Sequence, residues 1–308
     1  MLKAVKIYFP GFSVDYRAPD GSIKTEKETI FKPATVGMSG PPKCGKSTLA
    51  MQIVASHLIY DSDAKWVWVS TEVYSRQAAL AQIMPIIRAT FKAIHGVLPS
   101  QRELENITSR LLVVVNPARI LRLDREATLE FMAGIFRECI RHFGVSTNIN
   151  MVLDSFSAIV PLEAIQRQVA TYMIEFVRHG IPRREWIKIA TEKKWDKTER
   201  KWVEVIDESI LGAIEGAISG YYFSPFGEGM VFFILQTRGP EQVTAGGLGI
   251  EHQLDEMFYI KMIMRWKRRE IARLFWVHGR YYWSEDIKKV ELNKETGLLS
   301  LVEAEIEK

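Results

Sequence analysis

The fold is decided by the segment Gly40-Pro41-Pro42-Lys43-Cys44-Gly45-Lys46-Ser47, which fits the pattern G-x-x-x-x-G-K-[ST] at every fixed position. Strand-like residues 35–39 precede it, and residues 47–58 place apolar side chains on one helical face. In a glycine-rich turn between a strand and a helix, backbone N–H groups point at phosphate oxygens and the helix dipole adds positive charge. The sequence therefore predicts a phosphate-binding loop made of Gly40, Pro41, Pro42, Lys43, Cys44, Gly45, Lys46, Ser47 and Thr48.

The composition is that of a globular protein. The 308 residues are 47% hydrophobic and 25% charged, which suits one large α/β domain with additions, or two domains. The formal net charge of +4 permits a polyanionic partner without requiring one. Two cysteines are too few for a disulfide framework, and no apolar run approaches the roughly 18 residues of a membrane span. Residues 1–12 also lack the apolar stretch of a signal peptide, so we expect a cytoplasmic protein.

Apolar strand-like segments alternate with amphipathic helical segments from residue 34 to about 154. The strands are continuous apolar runs, which is typical of a mostly parallel sheet covered by helices on both faces. We therefore predict an α/β fold with such a central sheet, preceded by N-terminal strands and followed by C-terminal β-hairpins. Ligand-binding loops would then meet at the carboxyl edge of the strands.

Polar residues at the ends of these strands are candidates for catalysis and metal binding. Lys46 would contact the β- and γ-phosphates, and the Ser47 hydroxyl would ligate Mg²⁺. Asp154 ends the apolar strand 151–154 and would hold a magnesium-bound water, although aspartate at a strand end is also a common turn former or cap. Glu72 would orient and deprotonate the attacking water, or it is an exposed loop glutamate or a first-turn residue favoured by the helix dipole. Gln236 would sense the γ-phosphate, or it is an ordinary polar residue at a strand end.

The order GPPKCGKST, VSTE, MVLDS and FFILQT resembles the RecA superfamily, most of all its KaiC-like and RadA-like branches. The segment from Gly249 to His252, with Asp255, is similar to the G-[IV]-E-H-x-x-D pattern of KaiC-like ATPases. The resemblance covers about residues 25–285. It implies a RecA-like ATPase that binds ATP and Mg²⁺ and assembles into rings or filaments with ATP between subunits. It also implies the roles given above for Lys46, Ser47 and Asp154, and likewise for Glu72 and Gln236.

The sequence departs from the family pattern in two places. KaiC-like proteins carry a Lys-x-Arg-Gly segment whose cations reach the neighbouring subunit's nucleotide, whereas this chain has Trp276-Val277-His278-Gly279-Arg280. Arg280 or Arg238 are possible substitutes for those cations. The distance along the chain from Asp154 to Gln236 is longer than a compact core needs. We therefore expect a single domain of residues 1–308 with an inserted segment at about 165–225 and a β-rich extension at about 285–308.

Three segments are candidates for contact with DNA. Residues 182–201 hold eight Lys or Arg against four Asp or Glu, and Trp186, Trp195 and Trp202 are interleaved with them. Strands at 186–192 and 201–206 would form a basic aromatic hairpin, which suits single-stranded DNA, unless the tryptophans cover the core. The glycine-rich loop 239–249 and the basic stretch 265–269 are the other two candidates.

A short docking pattern of RadA-like filaments, F-x-x-A, also occurs in this chain. It is met by Phe31-Lys32-Pro33-Ala34. Only two of its four positions are fixed, so the alternative is that Phe31 belongs to the core.

Three functions remain open from the sequence. The first is an oligomeric ATPase that couples hydrolysis to remodelling of DNA or a DNA-bound complex, as an accessory of recombination or repair. The second is a KaiC-like regulatory switch, in which the nucleotide state governs assembly and partner binding without DNA. The third is a nucleotide-stabilised scaffold without turnover.

Overall fold

The computed structural model of the chain describes residues 2–71, 73, 75–115, 119–122, 124–161, 163–196, 198–238, 243–244, 248–265, 270–284 and 286–304. In these residues the strands are β1 (Lys3–Lys6), β2 (Ser13–Arg17), β3 (Ile23–Lys27), β4 (Thr29–Lys32), β5 (Ala34–Gly40), β6 (Lys65–Ser70), β7 (Leu111–Val115), β8 (Ile149–Asp154), β9 (Ile181–Pro182), β10 (Thr191–Asp196), β11 (Lys201–Ile206), β12 (Tyr222–Phe223), β13 (Met230–Arg238), β14 (Val243–Thr244), β15 (Glu256–Arg265), β16 (Glu270–Gly279), β17 (Tyr282–Trp283), β18 (Lys288–Leu292) and β19 (Leu299–Glu303).

Among the described residues, helices alternate with strands in the first half of the chain. They are α1 (Lys46–Tyr60), α2 (Arg76–His95), α3 (Gln101–Ser109), α4 (Arg125–Phe143), α5 (Phe156–Ile159), α6 (Glu163–Arg178), α7 (Trp186–Ala190), α8 (Glu208–Ala217) and α9 (Leu248–Glu251). None of these described helices combines the length and the apolarity that crossing a bilayer requires.

The central sheet has the strand order β19-β18-β16-β15-β5-β13-β8-β6-β7, with β14 attached to β13. Every neighbouring pair from β15 to β7 is parallel. The pairs from β15 out to β19 are antiparallel, and β15–β16 and β18–β19 are hairpins. The predicted mostly parallel sheet with C-terminal β-hairpins is confirmed.

Helices bury both faces of the sheet, as the continuous apolar strands predicted. Side chains alternate between the two faces, so Trp66 joins the core beneath α1 and α2 while the adjacent Val67 joins the core beneath α4 and α6. Phe136 of α4 packs edge to face on Phe226 in this second core. The result is a three-layered arrangement in which loops at the strand ends stay accessible.

The segment between β8 and β13 differs from its prediction in one element. Residues 186–192 were predicted as a strand, but Trp186–Ala190 form the helix α7. Trp186 is buried and its Nε1 donates to Ile181 O at 2.8 Å, and Ile189 and Ala190 are buried with it at helical spacing. Core contacts therefore override the strand pattern, and only β10 and β11 form the hairpin.

Phe31 lies in the core. Its ring packs on Tyr16 at 5.0 Å and on Tyr282 at 5.4 Å between centroids, and the side chain is buried. The F-x-x-A match therefore falls on a residue that is not accessible for docking in this fold.

Two adjacent acids lie at the amino edge of the sheet, where β15 begins. The Asp255 carboxylate accepts hydrogen bonds from Thr35 N and Thr35 Oγ1, both at 2.8 Å, and forms an ion pair with Arg178. Arg280 approaches the other carboxylate oxygen at 3.7 Å. Asp255 therefore ties α6 and the end of β16 to the strand that leads into the glycine-rich loop.

Glu256 is the second of these acids, and it is fully buried. Its Oε1 accepts a hydrogen bond from Tyr281 N at 3.0 Å, while Oε2 has no hydrogen-bond partner in the described residues. A Cβ on Gly279 would lie 1.4 Å from Oε2, so the backbone packs directly on the carboxyl group. Desolvation by burial raises the pKa of Glu256 from its ordinary 4.5 to about 8.

The raised pKa of Glu256 predicts a pH dependence of stability. Between about pH 5 and about pH 8 the unfolded carboxyl has lost its proton while the folded one keeps it, so the free energy of unfolding falls as pH rises through this window. In Glu256→Gln the side chain is uncharged in the folded and in the unfolded state, so this substitution should remove the decrease of unfolding free energy with pH. Urea denaturation of both proteins across the window measures it, with exposed Glu130→Gln as the control. Equal slopes for wild type and Glu256→Gln would contradict the assignment.

Candidate functional site

The glycine-rich loop joins β5 to α1 at the carboxyl edge of the sheet. Two of its residues have left-handed backbone, Lys43 with φ 63° and Gly45 with φ 109°. Gly45 is the N-cap of α1 and provides no side-chain acceptor for the first N–H groups of the helix. The N-terminus of a helix with such an N-cap favours an anion, because it is the positive end of the helix dipole.

Gly40 allows a close approach between the loop and strand β15. A Cβ at Gly40 would lie 2.6 Å from Ile260 O and 2.7 Å from Cys44 Sγ, so no other residue fits without moving backbone. The loop is therefore held against β15 on one side while Pro42 and Lys43 are exposed on the other.

Lys46 begins α1 with its ammonium group over the loop. Its Nζ donates to Gly40 O at 2.7 Å and to Pro41 O at 2.8 Å, and lies 3.8 Å from Cys44 Sγ. The side chain is buried, whereas Ser47 and Thr48 are partly exposed at the start of the helix. A buried cation on a loop with uncapped N–H groups fits a phosphate group.

Gln236 and Asp154 lie along the same edge. β13 is inserted between β5 and β8, and its parallel register places Gln236 beside Gly40. Gln236 N donates to Ser157 Oγ at 3.4 Å. Asp154 is buried at the end of β8, the strand beside β13, and it is paired with Ser70 of β6. The structure thus brings the loop, the Gln236 amide and the Asp154 carboxylate onto three neighbouring strands at this edge.

Glu72 lies outside the described residues. The residue before it, Thr71, donates its N–H to Asp154 O at 2.9 Å, and Val73 after it is buried. Thr71, the residue before Glu72, is therefore fixed next to Asp154. Residues 239–242, 245–247 and 266–269, in the two loops considered for DNA contact, also lie outside the described part.

A chain of hydrogen bonds leads from the loop to the C-terminal strands, and the sequence did not reveal it. Ser39, which precedes Gly40, lies with its Oγ 2.6 Å from Thr244 Oγ1. Thr244 Oγ1 donates to Glu251, and Tyr259 OH donates to Glu251 Oε2 at 3.0 Å. Burial, together with the Glu251 carboxylate, raises the pKa of Tyr259 well above its usual range. The Tyr259 ring stacks on Trp276 at 5.0 Å, so the loop is coupled to β16.

The positions that correspond to the Lys-x-Arg-Gly segment hold neither lysine nor arginine here. Trp276 is stacked on Tyr259, and His278 is exposed. Arg280 was considered as a substitute. Its backbone N–H donates to Asp255 O at 2.8 Å, so it lies at the amino edge, away from the loop of its own chain. The side chain of Arg238, the other possible substitute, is not among those that the structure describes.

Two further side chains reach the loop from the C-terminal strands. A Cβ built on Gly45 would lie 3.4 Å from Leu299 Cδ1 and 3.8 Å from Arg273 Nη1. No sequence motif includes either residue, because strand pairing in the sheet brings them to the loop from distant parts of the chain.

Replacement of Gly40 by alanine should damage the loop. The added Cβ would meet Ile260 O and Cys44 Sγ, so we expect a loss of about 2 kcal/mol or more of unfolding free energy, together with loss of anion binding. Gly212→Ala in α8 is the matched control, since a Cβ there meets nothing within 4 Å. It should be neutral or stabilising by up to about 1 kcal/mol. Urea denaturation with and without triphosphate measures both effects, and a Gly40→Ala protein with wild-type values would refute the close approach.

No family model matches the sequence, and no curated protein matches it. Among solved structures, the chain is similar to a KaiC-like protein of the hyperthermophilic archaeon Pyrococcus horikoshii OT3, with a TM-score of 0.54 and 14% sequence identity. The superposition covers 98% of this chain and 100% of that one. A likeness at this identity is a likeness of fold, and it shows that the chain has a RecA-like fold of the kind found in KaiC-like proteins.

Proposed function

We propose that this chain is an oligomeric RecA-like ATPase that binds ATP with Mg²⁺ and hydrolyses it, and that it acts on DNA or a DNA-bound complex. One observation supports the hydrolytic part above all. Gly40 and Asp154 end β5 and β8 at the carboxyl edge of the sheet, and Gln236 lies on β13 between these strands, beside Gly40 and the loop whose lysine is buried. Ligand sites in open α/β sheets lie at this edge, between strands whose order reverses.

In this proposal the amides of the loop and of the first turn of α1 hold the phosphate oxygens. The Lys46 ammonium exchanges its bonds to Gly40 O and Pro41 O for bonds to phosphate. The Ser47 hydroxyl and the Asp154 carboxylate hold Mg²⁺, the latter through water. When bound, Mg²⁺ supplies neutralisation of the charge on the phosphoryl group that is transferred.

In this proposal Glu72, which follows Thr71 in the chain, orients a water molecule and accepts its proton; the bond from Thr71 N to Asp154 O supports it. The water oxygen attacks the γ-phosphorus, the bond to the bridging oxygen breaks, and ADP and phosphate are formed. Gln236, between the loop and Asp154, contacts the γ-phosphate and connects it through β13 to the loop that follows.

Lys46→Ala should abolish turnover, because the site loses the cation that contacts the phosphates. We expect at least about a hundredfold decrease in phosphate release by the purified oligomer. Glu72→Gln should keep ATP binding while turnover falls to a similar extent. Lys92→Ala, on the exposed face of α2, is the control and should match wild type. Full activity of Lys46→Ala would refute the assignment of the site. If the wild-type protein binds ATP without hydrolysing it, the chain is instead the nucleotide-stabilised scaffold.

The DNA part of the proposal is supported by two exposed tryptophans on the β10–β11 hairpin. Trp195 and Trp202 are 49% and 66% exposed, and they face each other edge to face at 5.7 Å across the strands. Lys193 and Lys201 are exposed on the same hairpin. Large exposed rings beside cations suit the stacking of unpaired bases with phosphates held alongside.

Replacing both tryptophans by alanine tests this part. If bases stack on the pair, the Trp195→Ala/Trp202→Ala protein should lose at least about tenfold affinity for single-stranded DNA at low salt while basal ATP turnover stays unchanged. Fluorescence anisotropy of a labelled oligonucleotide measures the affinity, with Tyr221→Ala, an exposed aromatic elsewhere, as the control. Absence of wild-type binding would remove the DNA part of the proposal.

A second candidate is a regulatory switch without DNA. The observation that favours it is the hydrogen-bond chain from Ser39 through Glu251 to Tyr259, which couples the loop to an outer strand pair. Light scattering with ATP and with ADP separates the candidates, since a nucleotide-dependent change of assembly without affinity for DNA is the signature of the switch.

A further inference from the structure

Arg273 lies on the face of β16 that is directed to the same core as α1. It is paired with Met262 across the β15–β16 hairpin and is two residues before the buried Phe275, so both side chains are on one face. Its Nη1 lies 3.8 Å from the position of a Cβ on Gly45, next to the start of α1. The guanidinium group is therefore at the glycine-rich loop of its own chain.

In the part of the chain that the structure describes, Arg273 has neither a hydrogen-bond partner nor a carboxylate within 4.0 Å. Other partly buried arginines are paired, as Arg178 is with Asp255 and Arg141 with Asp207. Arg273 is itself partly buried. A guanidinium group stays charged at all physiological pH, and partial burial without a partner is unfavourable, so an anion at this place would stabilise it.

The position of Arg273 is set by the C-terminal strands, which are anchored to the helix after the loop. Gln52 of α1 is fully buried; its Nε2 donates to Leu299 O at 2.9 Å and its Oε1 accepts from Leu299 N at 2.8 Å. β19 is joined to β16 through β18. The cation is therefore held at the loop by rigid elements, which lowers the entropy lost on binding.

We propose that Arg273 is a second phosphate-binding cation of this site, provided by the same subunit and acting beside Lys46 on a polyphosphate held by the loop. This inference rests on the proposed function and names a residue that neither the loop motif nor the family pattern contains. A triphosphate carries more negative charge than Mg²⁺ and one lysine neutralise, and a guanidinium fork matches two phosphate oxygens at once.

The test is the affinity of Arg273→Ala for ATP, ADP and inorganic triphosphate, measured by titration calorimetry. All three ligands should bind about ten- to a hundredfold more weakly, because the lost bonds are to phosphate and not to the base. Arg273→Lys keeps the charge without the fork and should recover part of the loss. A purely structural role would instead lower the thermal midpoint without ligand and leave the three affinities unchanged.

Two comparisons separate this inference from the proposed function. Arg184→Ala, a highly exposed arginine at the amino edge, should bind all three ligands as wild type does. Lys46→Ala should lose binding. If Lys46→Ala loses binding while Arg273→Ala binds like wild type, the role of Arg273 is refuted and the ATP site stands. If wild type binds none of the three ligands, the ATP site and the role of Arg273 both fail.

Discussion

The candidate site depends on the parallel ladder that holds β13 between β5 and β8. Seven residues of β13, from Met230 to Gln236, pair in register with Ala34 to Gly40. A slip of one residue would turn every side chain of β13 to the opposite face and expose apolar groups, so the two buried faces fix the register. That register alone places Gln236 beside Gly40 and leaves Asp154 on the next strand.

The C-terminal strands complete the same edge. They are antiparallel and lie outside the parallel core, yet Leu299 and Arg273 both reach Gly45, and Gln52 binds β19 to α1. Because Gly45 has no side chain and leaves room for them, β16 and β19 form one wall of the candidate site. A rigid wall of this kind positions a side chain more reliably than a mobile loop does.

Sequence reasoning succeeded where the signal is local. The glycine-rich loop, the helix after it and the apolar strands follow from spacing and turn chemistry within a few residues. It failed for residues 186–190, because the burial of Trp186 against Ile181 depends on tertiary contacts that override strand propensity. The order of the strands and the approach of Arg273 to Gly45 were also beyond it, since they arise from pairings between distant parts of the chain.

The two edges of the sheet differ in how their charges are balanced. At the amino edge the Asp255 carboxylate is matched by Arg178 and Arg280, and burial keeps Glu256 protonated near neutral pH. At the carboxyl edge Arg273 has no matching acid among the described residues.

A guanidinium group without a matching acid attracts an anion to the loop that it approaches. Hydrogen bonds link Ser39, the residue before that loop, to Thr244, Glu251 and Tyr259, and so to the outer strands. Charge at the loop and contact at the outer strands are thus parts of one connected network.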